Sequence, residues 1–140
     1  IAEGLEYGNS PFEYPREFIE GKTLVLTTTN GTKLLHMALA ENAKAIITGS
    51  FPNLSAVCDF LVEQHQPVIL GCAAWKNRVN IEDTLFAGAV IDRIGKHFSI
   101  NCDSSQRLSC FWLDKYIRYC LTPDGANVLV IYKDGKLVSK

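Results

Sequence analysis

The sequence predicts an α/β fold with a mixed, mainly parallel sheet, helices on its faces and a C-terminal β-hairpin. Three observations predict it. β-Branched apolar runs recur at residues 23–28, 45–48 and 68–72. Each run ends in a short polar turn, and each turn leads into apolar residues at helical spacing. Three successive βα units put their strands side by side in one direction, and the hairpin beyond them makes the sheet mixed.

Residues 1–22 hold Gly4, Gly8, Pro11, Pro15 and Gly21, an irregular entry segment with a short helix expected at residues 15–19. Thr23-Leu24-Val25-Leu26-Thr27-Thr28 reads as a buried strand. Asn30-Gly31 tolerates positive φ in the turn that follows, and Leu34, Leu35, Ala38 and Leu39 mark a helix over residues 33–41. Ala45-Ile46-Ile47-Thr48 is the second strand, with Asn53 as the N-cap of a helix carrying Leu54, Val57, Cys58, Leu61 and Val62. Val68-Ile69-Leu70-Gly71-Cys72 is the third strand, followed by a polar loop at residues 75–80 and a helix over residues 81–94. Further on, a helix is expected at residues 113–119 and a turn at Thr122-Pro123-Asp124-Gly125. Strands at residues 127–132 and 136–139 flank Lys133-Asp134-Gly135 as a hairpin.

The composition suits one soluble domain over residues 1–140. Its 47% hydrophobic and 21% charged content allows a real core. A formal net charge of −1 and the lack of a basic run argue against nucleic acid and anionic membranes as partners. No apolar run reaches the ~18 residues of a membrane span. Residues 1–4 have no signal-peptide character and no initiator Met, so the chain is expected to begin inside a longer protein. Five cysteines without a C-x-x-C pair and three scattered histidines exclude a standard zinc module and favour a reducing cytoplasm.

Ligands of open α/β sheets bind outside the carboxyl ends of the strands. That rule puts the loops at residues 27–32, 49–53 and 72–83 on one rim, each leading into a helix N-terminus that favours anions. Thr27-Thr28-Thr29-Asn30-Gly31-Thr32 offers neutral donors to a phosphate or sulfonate, or else serves as strand end and helix cap. Glu82-Asp83 offers oxygens to Mg²⁺, or else completes a capping box on Asn80. Cys72 and Arg78 have the C-x₅-R spacing of cysteine-dependent phosphatases, although no glycine lets that loop curl. Asn9-Ser10-Pro11 is a turn that would aim Asn9 and Ser10 at the rim or do no more than reverse the chain.

At these residues the chain resembles the 2-phosphosulfolactate phosphatase family. The resemblance rests on Gly8-Asn9-Ser10-Pro11, Thr27-Thr28-Thr29-Asn30-Gly31-Thr32, Gly49-Ser50-Phe51-Pro52-Asn53, Cys72-Ala73-Ala74 and Glu82-Asp83-Thr84-Leu85-Phe86-Ala87-Gly88, in family order across residues 3–94. It implies a three-layer α/β/α fold and Mg²⁺-dependent hydrolysis of (R)-2-phospho-3-sulfolactate to sulfolactate and phosphate. In the family this reaction serves coenzyme M or related sulfonate metabolism in the cytoplasm. It also implies Thr28, Asn30, Gly31 and Thr32 as oxyanion contacts, with Asn9, Ser10 and Asn53 completing the substrate side. Glu82 and Asp83 become Mg²⁺ ligands or the base that orients water.

A small anionic phosphorylated substrate and a homodimer are the partners it implies. The chain would then be the C-terminal part of a longer phosphatase domain. It departs from the family at Leu5-Glu6-Tyr7 and in a short stretch at residues 103–107. A non-catalytic domain or fragment, and a thiolate phosphatase using Cys72 and Arg78, are the competing readings.

Overall fold

The computed structural model describes residues 4, 6–76, 78–98 and 122–140. The helix expected at residues 113–119 and the short stretch at 103–107 lie outside the described residues.

Helix positions follow the sequence signals closely. Pro15 sets the start of α1, Arg16–Ile19. Asn30 precedes α2, Gly31–Ala40. Asn53 precedes α3, Leu54–Gln64, which ends at a left-handed His65. Asn80 opens α4, Ile81–Ile94, where its side chain accepts a hydrogen bond from the Glu82 N–H. The start of α3 is capped from a distance: Asp124 accepts from the Ser55 N–H at 2.7 Å and from the Ser55 hydroxyl at 2.9 Å. Arg93 of α4 pairs with the same carboxylate at 3.3 Å.

The core forms where α3 and α4 meet. Leu54, Val57, Cys58 and Leu61 pack with Val90 and Ile94, and Leu129 closes the cluster. Val90 is fully covered, at 0% exposure. Each large aliphatic side chain buried there contributes about 1.5–3 kcal/mol of transfer free energy. Gly49 lets the neighbouring loop lie against α4, because a Cβ on it would sit 2.6 Å from the Phe86 ring.

The sheet departs from expectation. Among the described residues it has three strands in the order β1 (Ile47–Thr48), β2 (Val130–Lys133), β3 (Lys136–Ser139). Both pairings are antiparallel, with Ile47 opposite Ile131 and Val130 opposite Ser139. The expected hairpin is present, with its first strand at Val130–Lys133 instead of 127–132: Asp134 and Gly135 have φ of 50° and 81°, the two positive values that a type I′ turn needs.

The mainly parallel sheet is therefore corrected for the described residues. The runs at 23–28 and 68–72 form no ladder, and β1 shrinks to two residues. A parallel βα unit holds together when its helix packs on the sheet, and α2 buries no residue. In the run at 68–72, Val68 and Leu70 pack against the core while Ile69 is 96% exposed. That alternation is a strand's period of two with one face uncovered. No helix among the described residues is long and apolar enough to cross a membrane.

Candidate functional site

The hydroxyl loop owes its shape to its own threonines. The Thr28 hydroxyl accepts from the Thr32 N–H at 3.0 Å, so it caps the start of α2. The two hydroxyls lie 3.2 Å apart, and the Thr28 N–H reaches Thr32 Oγ1 at 3.4 Å. Gly31 serves a different purpose from the one its Asn-Gly pairing predicts. It lies inside α2, not at positive φ, and a Cβ there would come within 3.0 Å of Thr28 Oγ1. Space, not backbone freedom, is what Gly31 supplies.

Asn30 joins this loop to the third one. Its Nδ2 donates to the Ala74 carbonyl at 3.0 Å. The N–H of the same Ala74 donates to Asp83 Oδ2 at 3.1 Å. Ala74 makes both bonds with a left-handed φ of 64°, a conformation that costs a non-glycine residue about 1 kcal/mol or more. Asp83 is half-buried and turned toward Ala74, so it does not close a capping box on Asn80. Glu82 is the neighbour that stays with the cap: it is exposed, and its Oε1 accepts from Asn80 Nδ2 at 3.0 Å. Of the two acids, Asp83 faces the hydroxyl loop's partner and Glu82 faces solvent.

Asn9 reaches the first half of the hydroxyl loop from the entry segment. It lines an open cavity of about 640 Å³ together with residues 27–29, Tyr7, Tyr14 and Phe18. The loop is pinned on either side of the Gly8 peptide, whose N–H is held by Glu13 and whose carbonyl is held by the Tyr14 hydroxyl. Ser10 precedes the 3₁₀ turn Pro11–Glu13, and its buried hydroxyl has no hydrogen-bond partner. Asn53 is not brought to this region. It is 7% exposed, and its amide donates to the Val128 and Thr48 carbonyls at 3.0 and 3.3 Å while accepting from the Ser50 N–H at 2.8 Å. Its bonds tie β1 to the stretch before β2.

The geometry is unfavourable to a Cys72 thiolate. Burial, and then the Asp83 charge, push the Cys72 thiol above its ordinary value, so it is protonated near neutrality. Three of the loop's amides are also spent elsewhere. Ala74 N–H serves Asp83, while Trp75 and Arg78 pair their own N–H and carbonyl groups at 2.9 Å. A phosphate cradle needs those donors free and convergent.

As to metal, no group of three or more His, Cys, Asp or Glu among the described residues could hold an ion. Mg²⁺ asks for less, since one or two carboxylates plus waters and substrate oxygens suffice. With one oxygen bonded to the Ala74 N–H and a second one to offer, the half-buried Asp83 carboxylate fits that modest demand. Sequence reasoning missed Ala74 and the Tyr7–Tyr14–Phe18 wall. Ala74 acts only through its main chain, so no side-chain signal could reveal it. The aromatic wall had a signal, the clustering of rings in an otherwise turn-rich segment.

The 2-phosphosulpholactate phosphatase family model matches residues 1–107. The chain belongs to that family. A probable 2-phosphosulfolactate phosphatase of Thermotoga petrophila is 45% identical over 95 residues, which are 68% of this chain and 40% of that relative. The protein of the same name from Thermotoga maritima is 44% identical over 95 residues, with the same coverage. One from Caldanaerobacter subterraneus subsp. tengcongensis is 27% identical over 158 residues, covering 95% of this chain and 65% of the relative. That match is longer than the 140 residues here, so the relative carries residues with no counterpart in this chain. The chain thus spans between 40% and 65% of the length of these curated relatives.

Proposed function

We propose that this chain carries the phosphate-side hydroxyls and the reacting carboxylate of a phosphoric monoester hydrolase acting on 2-phosphosulfolactate. One observation carries the reading. Asn30, before α2, and Asp83, in the first turn of α4, both bond to the single residue Ala74, which brings the hydroxyl loop and the acid to one spot.

In the proposed reaction, the Thr28 and Thr32 hydroxyls and the Asn9 amide hold the phosphoryl oxygens as neutral donors. Asp83 orients a water and takes its proton as the oxygen attacks phosphorus. The phosphorus–ester oxygen bond breaks, and its electron pair leaves on the sulfolactate oxygen, which takes a proton from solvent to become the hydroxyl. Mg²⁺, held by Asp83 with Glu82 beside it, would neutralise phosphoryl charge and polarise the ester. The role in sulfonate metabolism and the cytoplasmic location belong to this same reading. For the family-length domain we also propose the three-layer arrangement, with the exposed runs at 23–28 and 68–72 inside its sheet. The uncovered Val25 and Ile69 support it, at 90% and 96% exposure.

The test is phosphate release from (R)-2-phospho-3-sulfolactate with Mg²⁺ present. Release should occur, stop with EDTA, and fall about 10²-fold or more in Asp83→Asn, the range for losing a general base. Cys72→Ser should keep the activity. No release from the unsubstituted protein would leave the non-catalytic reading standing, and loss in Cys72→Ser with EDTA harmless would restore the thiolate one.

A further inference from the structure

We propose that Asn30 is a positioning residue for the Asp83 carboxylate and not a contact of the substrate. This inference rests on the hydrolase reading above and deepens it. One N–H of the Asn30 amide donates to the Ala74 carbonyl at 3.0 Å, crossing 44 positions of sequence to do so, and this bond fixes the direction of the side chain. The N–H of that same residue fixes Asp83 Oδ2 at 3.1 Å. Ala74 therefore works as a two-sided clip whose left-handed backbone, φ 64°, both bonds help to hold. Remove the Asn30 bond, and the strained peptide is free to relax toward a right-handed conformation. That rotation swings the Ala74 N–H away from Asp83.

Asn30 also stands at the N-cap of α2, but its side chain makes no capping bond there. The N–H of Thr32 is served by Thr28 instead. The helix start therefore does not depend on the Asn30 amide, and the strut can be removed without removing the cap. Asn30→Ser does this: serine is a good N-cap residue, yet its hydroxyl is too short to reach Ala74.

Three readouts separate the possibilities in Asn30→Ser. For a positioning residue, kcat should fall about 10-fold or more while KM changes less than about twofold, because an interaction that acts only in the transition state is lost. Amide hydrogen exchange at Ala74 should quicken, while that at Leu34, bonded to the Asn30 carbonyl, stays slow. Ala74→Gly, which adopts positive φ freely, should partly restore kcat when combined with Asn30→Ser. A raised KM at unchanged kcat would make Asn30 a substrate contact and overturn the proposal. Unaltered kinetics, or unaltered exchange at Ala74, would overturn it as well. If the unsubstituted protein releases no phosphate, the hydrolase reading fails by itself, while the exchange measurement still reports on the clip.

Discussion

Two regions of the molecule have opposite characters. Residues 47–62, 86–98 and 129–131 interlock in one core, with Val90 wholly covered and Leu54 and Val57 almost so. Residues 22–44 contribute no buried side chain, although they hold a strand-like run, the hydroxyl loop and α2. Nearly all the candidate chemistry lies in the open region or at its border with α4. The difference teaches that the packed part is a platform. Asp83 sits at the start of α4, which carries the buried Val90 and Ile94 of the core further along. The hydroxyl loop is anchored to that platform by polar contacts, chiefly through Asn30 and Ala74.

The sharpest way to break this comparison is to truncate one apolar side chain in each region. Leu61→Ala should lower unfolding free energy by about 2–5 kcal/mol, the usual cost of a core cavity. Val25→Ala should change it by about 0.5 kcal/mol or less, as exposed sites do. Urea denaturation of both variants decides, and equal losses would mean that the two regions are packed alike. Asn53→Ala comes next. Removing an amide whose groups pair with Thr48, Val128 and Ser50 should cost about 1–3 kcal/mol. Its KM should stay unchanged, so a raised KM would move Asn53 from the platform into the site.

The smallest effect concerns Asp124. The Ser55 N–H and hydroxyl, with Arg93 behind them, hold its carboxyl below the ordinary carboxylate value. A carboxylate depressed in the folded state stabilises above its unfolded value, near pH ~4, and that help disappears as pH falls through the depressed value. Melting temperature should therefore drop between about pH 5 and pH 3, and drop less steeply in Asp124→Asn. Identical slopes would remove Asp124 as a pH-sensitive tie between α3 and α4.

The same division explains what the sequence revealed. Helical elements were legible because caps and periodicity are local: Asn80, Asn53 and Pro15 mark helix starts within a residue or two. The hairpin was legible because Asp134-Gly135 demands positive φ at both positions. Strand pairing was not, since a β-branched run states its preference but not its neighbour. β1 takes an antiparallel partner from the far end of the chain, and the run at 23–28 takes none among the described residues. In the site, Thr28, Thr32 and Asp83 stood out as side chains with chemistry. Their connection did not, because it passes through the main chain of an alanine. Asn53 shows the converse: a polar residue on the expected rim whose amide bonds to the main chain at Thr48, Ser50 and Val128 instead.

The pairing of Ile47 with Ile131 has a consequence in time. Closing so long a loop carries an entropic cost that local contacts do not, and non-local pairing slows folding. During synthesis α3 and α4 can meet early, but the ladder partner that β1 has among the described residues, β2, is made only later. Until then Ile47 and the Gly49 turn must wait beside an unfinished core, with Asn53 lacking its Val128 acceptor. The expected order of assembly is helices first and sheet last, which makes the interval before the hairpin arrives the one in which a nascent chain is most open to wrong partners.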